Sequence, residues 1–199
     1  MSKKFFTIAV GACTIVAISA AIILLSQQLF APIGSILGLD LPNRPAAPSC
    51  PAAKPLLVGT VSVPAGPVAG YCQDQLANAA TIISAAKSFG IGTRTQTIGV
   101  MTAMGESSLH NLDYGDAAGP DSRGLFQQRA NGAWGTLSDR MTPYTAARNF
   151  FSALVKVPDW QTMEPTALAH AVQINQDPHH YARYWPAAQA VVAALSVSG

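Results

Sequence analysis

The pattern of hydrophobic and polar positions divides the chain into three stretches. From Phe5 to Leu25 runs an uncharged segment rich in Ile, Ala, Val and Leu, preceded by Lys3 and Lys4. As a helix rising about 1.5 Å per residue it crosses a hydrocarbon layer of about 30 Å, and the lysines favour an N-terminus left inside with the remainder carried outside. Residues 31 to 71 hold eight of the fourteen prolines, with Gly, Ala and Ser between them, the composition of an extended spacer. Inside that spacer the patch from Leu56 to Val63 is β-prone, either a short strand or a surface-hugging segment. From Tyr71 onward the apolar positions recur at helical spacing.

Five helices are predicted in this last stretch. Leu76, Ala79, Ala80, Ile83 and Ala86 form one apolar stripe that Gly90 and Gly92 end. A second helix is predicted from near Thr93 to Ser107 or Ser108, with Ile98, Met101 and Met104 facing the core. The third opens on Thr142 as cap with Pro143 at the first helical position, followed by Ala147, Phe150, Phe151 and Leu154. A fourth is predicted from Pro165 to about Asn175. The fifth is predicted to begin with Asp177 as cap and Pro178 behind it, and to be kinked or divided by Pro186 before Ala187 to Leu195. Between the second and third helices lies a polar, Gly-rich connection from Asn111 to Arg140, longer than ordinary helix connections and thus either functional or disordered.

Length and charge narrow the picture. Of 199 residues, those left after the apolar run and the spacer suffice for one core. A net charge of +2, without clustered Lys and Arg, argues against nucleic acid as a partner. The apolar run is longer than the roughly 7 to 15 residues of a signal peptide's core, and no small-x-small site follows it, which favours an uncleaved anchor over a signal sequence. The partition expected is therefore an anchor or signal sequence over 1–30, an extracytoplasmic linker over 31–70 and a mainly α domain over 71–199. Cys50 and Cys72 fall on the side where oxidation is permitted, and form either one disulfide across the linker or two free thiols.

The candidate chemistry centres on Glu106, one of only two glutamates in the chain. It lies in the last turn of an apolar helix, where the helix dipole disfavours an ionised carboxylate. Shielding by Met104, Leu109 or Phe126 raises its pKa further, as a glycosidase general acid requires; the plain alternative is an exposed glutamate at a helix end.

Glu106-Ser107 at a helix end, followed some twenty residues on by Gly124-Leu125-Phe126-Gln127, resembles the first two motifs of the soluble lytic transglycosylase and goose-type lysozyme superfamily. The run from Tyr71 to Leu195 is more closely similar to the transglycosylase-like domains of actinobacterial cell-wall proteins, through Asn111-Leu112-Asp113-Tyr114-Gly115-Asp116 and Gly124 to Arg129. The resemblance implies a lysozyme-like helical domain that cleaves the glycan strands of peptidoglycan with Glu106 as catalytic acid and base. It also implies that Ser107 supports the acid and that Gln127 and its turn contact the saccharide, with Phe126 where soluble transglycosylases more usually carry methionine. Tyr181 or Tyr184 is expected to reach Glu106; the alternative for these aromatics is a core stripe. The third family motif is matched only loosely, by Ala171 to Asn175.

One carboxylate serves both steps of an anhydro-ring closure. Hydrolysis requires a second, for which Asp113, Asp116 and Asp121 are the candidates; otherwise they are turn formers in a Gly-rich loop. Arg123 and Arg129 are either rim residues that pair with substrate carboxylates or solvated surface groups, and Trp134 and Trp160 are either cleft walls or packing residues. Neither metal nor cofactor is expected, since the adjacent His179 and His180 point about 100° apart on a helix. The alternatives to an enzyme are a peptidoglycan-binding module that does not cleave and a structural helical component of an envelope complex. The expected location is a single-pass membrane protein with its C-terminal domain outside, or else a secreted protein.

Overall fold

The computed structural model describes residues 49–196. The apolar run over residues 5–25 lies outside them, and among the described residues no helix is long and apolar enough to cross a membrane. The described chain is mainly helical, with one small hairpin. Strands β1 (Leu56–Val58) and β2 (Val61–Val63) precede helices α1 (Gln73–Lys87), α2 (Thr93–Ser107), α3 (Leu137–Met141), α4 (Pro143–Leu154) and α5 (Pro165–Gln173). A 3₁₀ turn at Ala182–Tyr184 then leads into α6 (Trp185–Ser196).

The β-prone patch folds rather than spaces. β1 and β2 pair antiparallel, Leu56 opposite Val63 and Val58 opposite Val61. Val61 and Val63 are buried in the common core, and β2 packs on α1 and α6. The folded body thus starts before Tyr71, inside the stretch whose proline content reads as linker. Cys50 and Cys72 form a disulfide with Cα atoms 5.4 Å apart, fastening the chain ahead of the hairpin to the residue that opens α1.

α2 is the central element. It touches α1, α4, α5 and α6, and every residue from Thr95 to Met104 is buried. A helix apolar on one stripe covers a surface, whereas one buried on all sides is a core helix. Its polar residues are accommodated locally: Thr97 and Thr102 donate to the carbonyls of Thr93 and Ile98 one turn back, and Gln96 donates to Ile91 O at 2.8 Å. Gly99 admits Phe151, since a Cβ there would stand 2.5 Å from its ring.

The second and third predicted helices are found as read, and Pro143 sits at the first turn of α4 behind Thr142. Two expectations change, and one helix is new. α3 was not anticipated; it starts at Thr136, whose hydroxyl accepts from Asp139 N while Asp139 accepts from Thr136 N. No helix begins at Asp177, whose carboxylate instead accepts from His179 N at 2.8 Å in a tight turn. Pro186 does not kink a helix either, because it is the second residue of α6, where the missing N–H has no carbonyl to meet.

Candidate active site

Glu106 is partly buried near the exposed end of α2. Beyond it the chain turns through two successive left-handed residues, Ser108 (φ 52°) and Leu109 (φ 64°). Leu109 is fully buried, and α1 holds the turn by donating from Gln75 to Ser108 O and from Asn78 to Leu109 O, each at 2.8 Å. A carboxylate at a helix end therefore keeps a fixed exit path for the chain beneath it.

Three side chains from distant sequence converge on the carboxyl. Tyr181 is fully buried, and its hydroxyl donates to Glu106 Oε1. His180 lies edge-on to Tyr181 with ring centres 4.9 Å apart, and its Nε2 donates to Gly105 O at 3.2 Å. Gln173, the last residue of α5, acts on the same carboxyl while its Nε2 donates to Phe126 O at 2.8 Å. Gly105 makes the approach possible, since a Cβ there would stand 2.7 Å from the Tyr181 ring.

Burial raises the pKa of Glu106 above the ordinary carboxylate range. The Tyr181 hydroxyl, His180 and Gln173 pull it back by favouring the ionised form, and the negative charge of Asp116 pushes it up again. Tyr181 is displaced upward in turn, by burial first and then by the neighbouring carboxylate, so it stays protonated and serves as a donor.

The turn from Gly124 to Gln127 stands against this cluster. Arg123 and Gln128 close it by exchanging backbone hydrogen bonds of 3.1 and 3.0 Å, and Gly124 N donates to Leu112 O at 2.7 Å. Gly124 has φ 78° and lies where a Cβ would fall 2.0 Å from Arg140 O, so no other residue fits. Buried Arg140 donates to Asp121 O and Gln128 O at 2.9 and 3.1 Å, pinning the loop from below. Ser107 is buried and donates to Leu125 O at 2.8 Å, so the residue after the acid ties α2 to the turn.

Several sequence-predicted residues occupy other positions. The Phe126 side chain is core: it is fully buried and stacked on Phe150 at 4.7 Å, and only its carbonyl belongs to the site. Tyr181, not Tyr184, reaches Glu106, while Tyr184 carries the Arg183 guanidinium 4.9 Å over its ring. Gln127 is half-buried at φ 45°, with its amide on Gly124 O at 3.2 Å.

Of the three aspartates, Asp121 is bound by Arg129 at 2.5 Å and by Ala130 N at 2.7 Å. The Ala130 N–H is the main cause of its lowered pKa, and the Arg129 contact helps. Asp116 accepts from Gly119 N at 2.7 Å and acts on Glu106 only through its charge. Asp113 is exposed. Arg129 is thus committed to Asp121, and Arg123 donates to Pro120 O and Ser122 O. Trp134 and Trp160 are half-buried against the core as packing residues.

Sequence reasoning missed Gln173 and Gly105 as site residues; the sole signal for Gln173 was its place in the run Ala171 to Asn175. It also missed the residue between Gln173 and Asn175. Ile174 adopts φ 53°, ψ 52° and is 82 % exposed. A left-handed conformation costs an L-residue about 1–2 kcal/mol, and β-branched side chains rarely adopt it.

The site does not coincide with the groove of about 510 Å³ lined by Thr93, Arg94, Thr97, Trp185, Gln189 and Val192. That groove is at the other end of α2, about 20 Å along the helix, and no carboxylate lines it.

No protein-family model matches the chain, and no curated protein does either.

Proposed function

We propose that this chain cleaves the glycan strands of peptidoglycan, with Glu106 as general acid and then general base, and that its helical body is lysozyme-like. The observation that carries the reading is the carboxyl itself. It is partly buried, raised in pKa, held by a buried tyrosine and set against the Gly124–Gln127 turn. Tyr181 engages Oε1 from within the core. Burial shifts the acid toward its protonated form, the state needed to protonate the leaving oxygen.

The arrangement favours the transglycosylase type over the hydrolytic type. Hydrolysis by inversion or retention uses a second carboxylate across the sugar. Asp121 is bound by Arg129 and Ala130, Asp116 accepts from Gly119, Glu164 caps α5 by accepting from Ala167 N, and Asp113 stands exposed to solvent. A lone carboxyl that first gives a proton to the leaving oxygen and then takes one from the muramic 6-hydroxyl closes an anhydro ring without a second acid. Neither step calls on a metal or cofactor.

The proposed setting is the outer face of a membrane, with residues 5–25 as anchor. The Cys50–Cys72 bridge supports it, because disulfides persist in oxidising compartments. The deciding experiment is mass spectrometry of fragments released from purified walls by the full chain and by Glu106→Gln. Anhydro-muropeptides from the former and none from the latter are expected. Reducing ends would shift the reading to a muramidase, and binding without release to a recognition module.

A further inference from the structure

Ile174 combines two costs at one position. Its backbone is left-handed, and its branched side chain is 82 % exposed, buried in no core. Its neighbours are both directed inward. Gln173 holds Phe126 O at 2.8 Å in the turn against Glu106, while Asn175 accepts from His170 Nδ1 at 2.8 Å. Asn175 Nδ2 is buried with no hydrogen-bond partner. The left-handed turn lets two inward-directed residues flank one that stands out of the surface, next to the residue that holds the turn. Glycine or asparagine would take the same turn with less strain. The turn alone therefore explains the backbone and leaves the isoleucine side chain unexplained.

We propose that Ile174 is a specificity-determining residue that packs against a methyl-bearing substituent projecting from the bound glycan. The inference rests on the glycan-cleaving reading of Glu106. Sugar rings present hydroxyls to a cleft, and the apolar groups that stand away from a peptidoglycan strand are the N-acetyl methyl and the methyls of the lactyl-alanyl arm. An exposed sec-butyl group that directly follows Gln173, the residue fastened to the turn against the acid, meets such a substituent and not the ring. Each methyl removed from water against it is worth about a fourfold gain in affinity.

The test uses the full chain carrying Glu106→Gln, so that ligands are bound and not cut. One arm compares oligomers of N-acetylglucosamine with N-formyl oligomers, which keep the amide and lack only the methyl. The other compares glycan strands bearing stem peptides with strands stripped of them. The Ile174 background is expected to prefer the methyl-bearing ligand about fourfold in one arm, which names the substituent. Ile174→Gly is expected to reduce that preference to about one while its melting temperature stays level or rises, since strain is relieved.

Ile174→Asn, which keeps the turn and supplies a side chain of similar reach, gives the same loss of preference and covers any folding defect of the glycine variant. Preferences unchanged by both substitutions overturn the inference and leave the function of Glu106 standing. A wild-type chain that cleaves no wall, with a Glu106→Gln form that binds none of these ligands, overturns the reading of the site and this inference with it.

Discussion

Tyr181 donates its phenolic hydrogen to Glu106 across 75 residues of sequence, and Gly105, one residue before the acid, leaves the space through which it does so. Tyr181→Phe removes the donor and retains the ring. Because that donor favours the ionised acid, its loss raises the pKa of Glu106 further. Activity that needs the protonated acid falls as pH rises through that pKa. The alkaline limb of kcat/KM is therefore expected to move to higher pH, with kcat lower by about ten- to a hundredfold for lost orientation. A limb that stays in place, or moves to lower pH, would contradict the arrangement.

Glu106→Gln is expected to lower wall cleavage by on the order of 10² to 10⁴. It also has a signature in stability. A carboxyl whose folded pKa is raised binds more protons folded than unfolded, so its contribution declines as pH rises from the ordinary carboxylate range through the folded value. The glutamine variant is thus expected to melt higher than wild type at neutral pH. That gap should narrow on acidification, and thermal scans at several pH values follow it.

Gly105→Ala separates helix propensity from contact. In an open helix the change would stabilise by about 1 kcal/mol. Here the new Cβ would meet Tyr181 at 2.7 Å and His180 Nε2 at 3.3 Å, so a net loss of about 1–3 kcal/mol is expected instead. Urea unfolding gives the sign, and a fall in activity accompanies it because Tyr181 is pushed from Glu106.

Replacing Cys50 and Cys72 together by serine opens a loop closed by residues 22 apart in sequence. The chain-entropy relation gives a loss of about 3 kcal/mol. Denaturation of the oxidised wild type, the reduced wild type and the double variant is expected to group the last two together.

Much of the helical frame was legible because its signals are local. Thr142-Pro143 marks a helix start by what proline cannot donate, and the stripe from Leu76 to Ala86 names its own buried face. The acid and its turn were found from short motifs for the same reason. What escaped depends on partners far along the chain. Nothing near Gln173 announces that its amide rests on Phe126 O, 47 residues away, or that Phe126 turns its ring into the core against Phe150. Arg140 looks like an ordinary surface charge until the loop carbonyls of Asp121 and Gln128 close on it. The proline-rich composition before Tyr71 likewise hid a hairpin, since Val61 and Val63 gain their burial from α1 and α6 and not from each other.

Gln173 Nε2 donates to Phe126 O at 2.8 Å, so the last residue of α5 fastens the turn from Gly124 to Gln127. The same side chain favours the ionised form of Glu106. Displacing the tip of α5 would therefore loosen the turn and change the surroundings of the acid together.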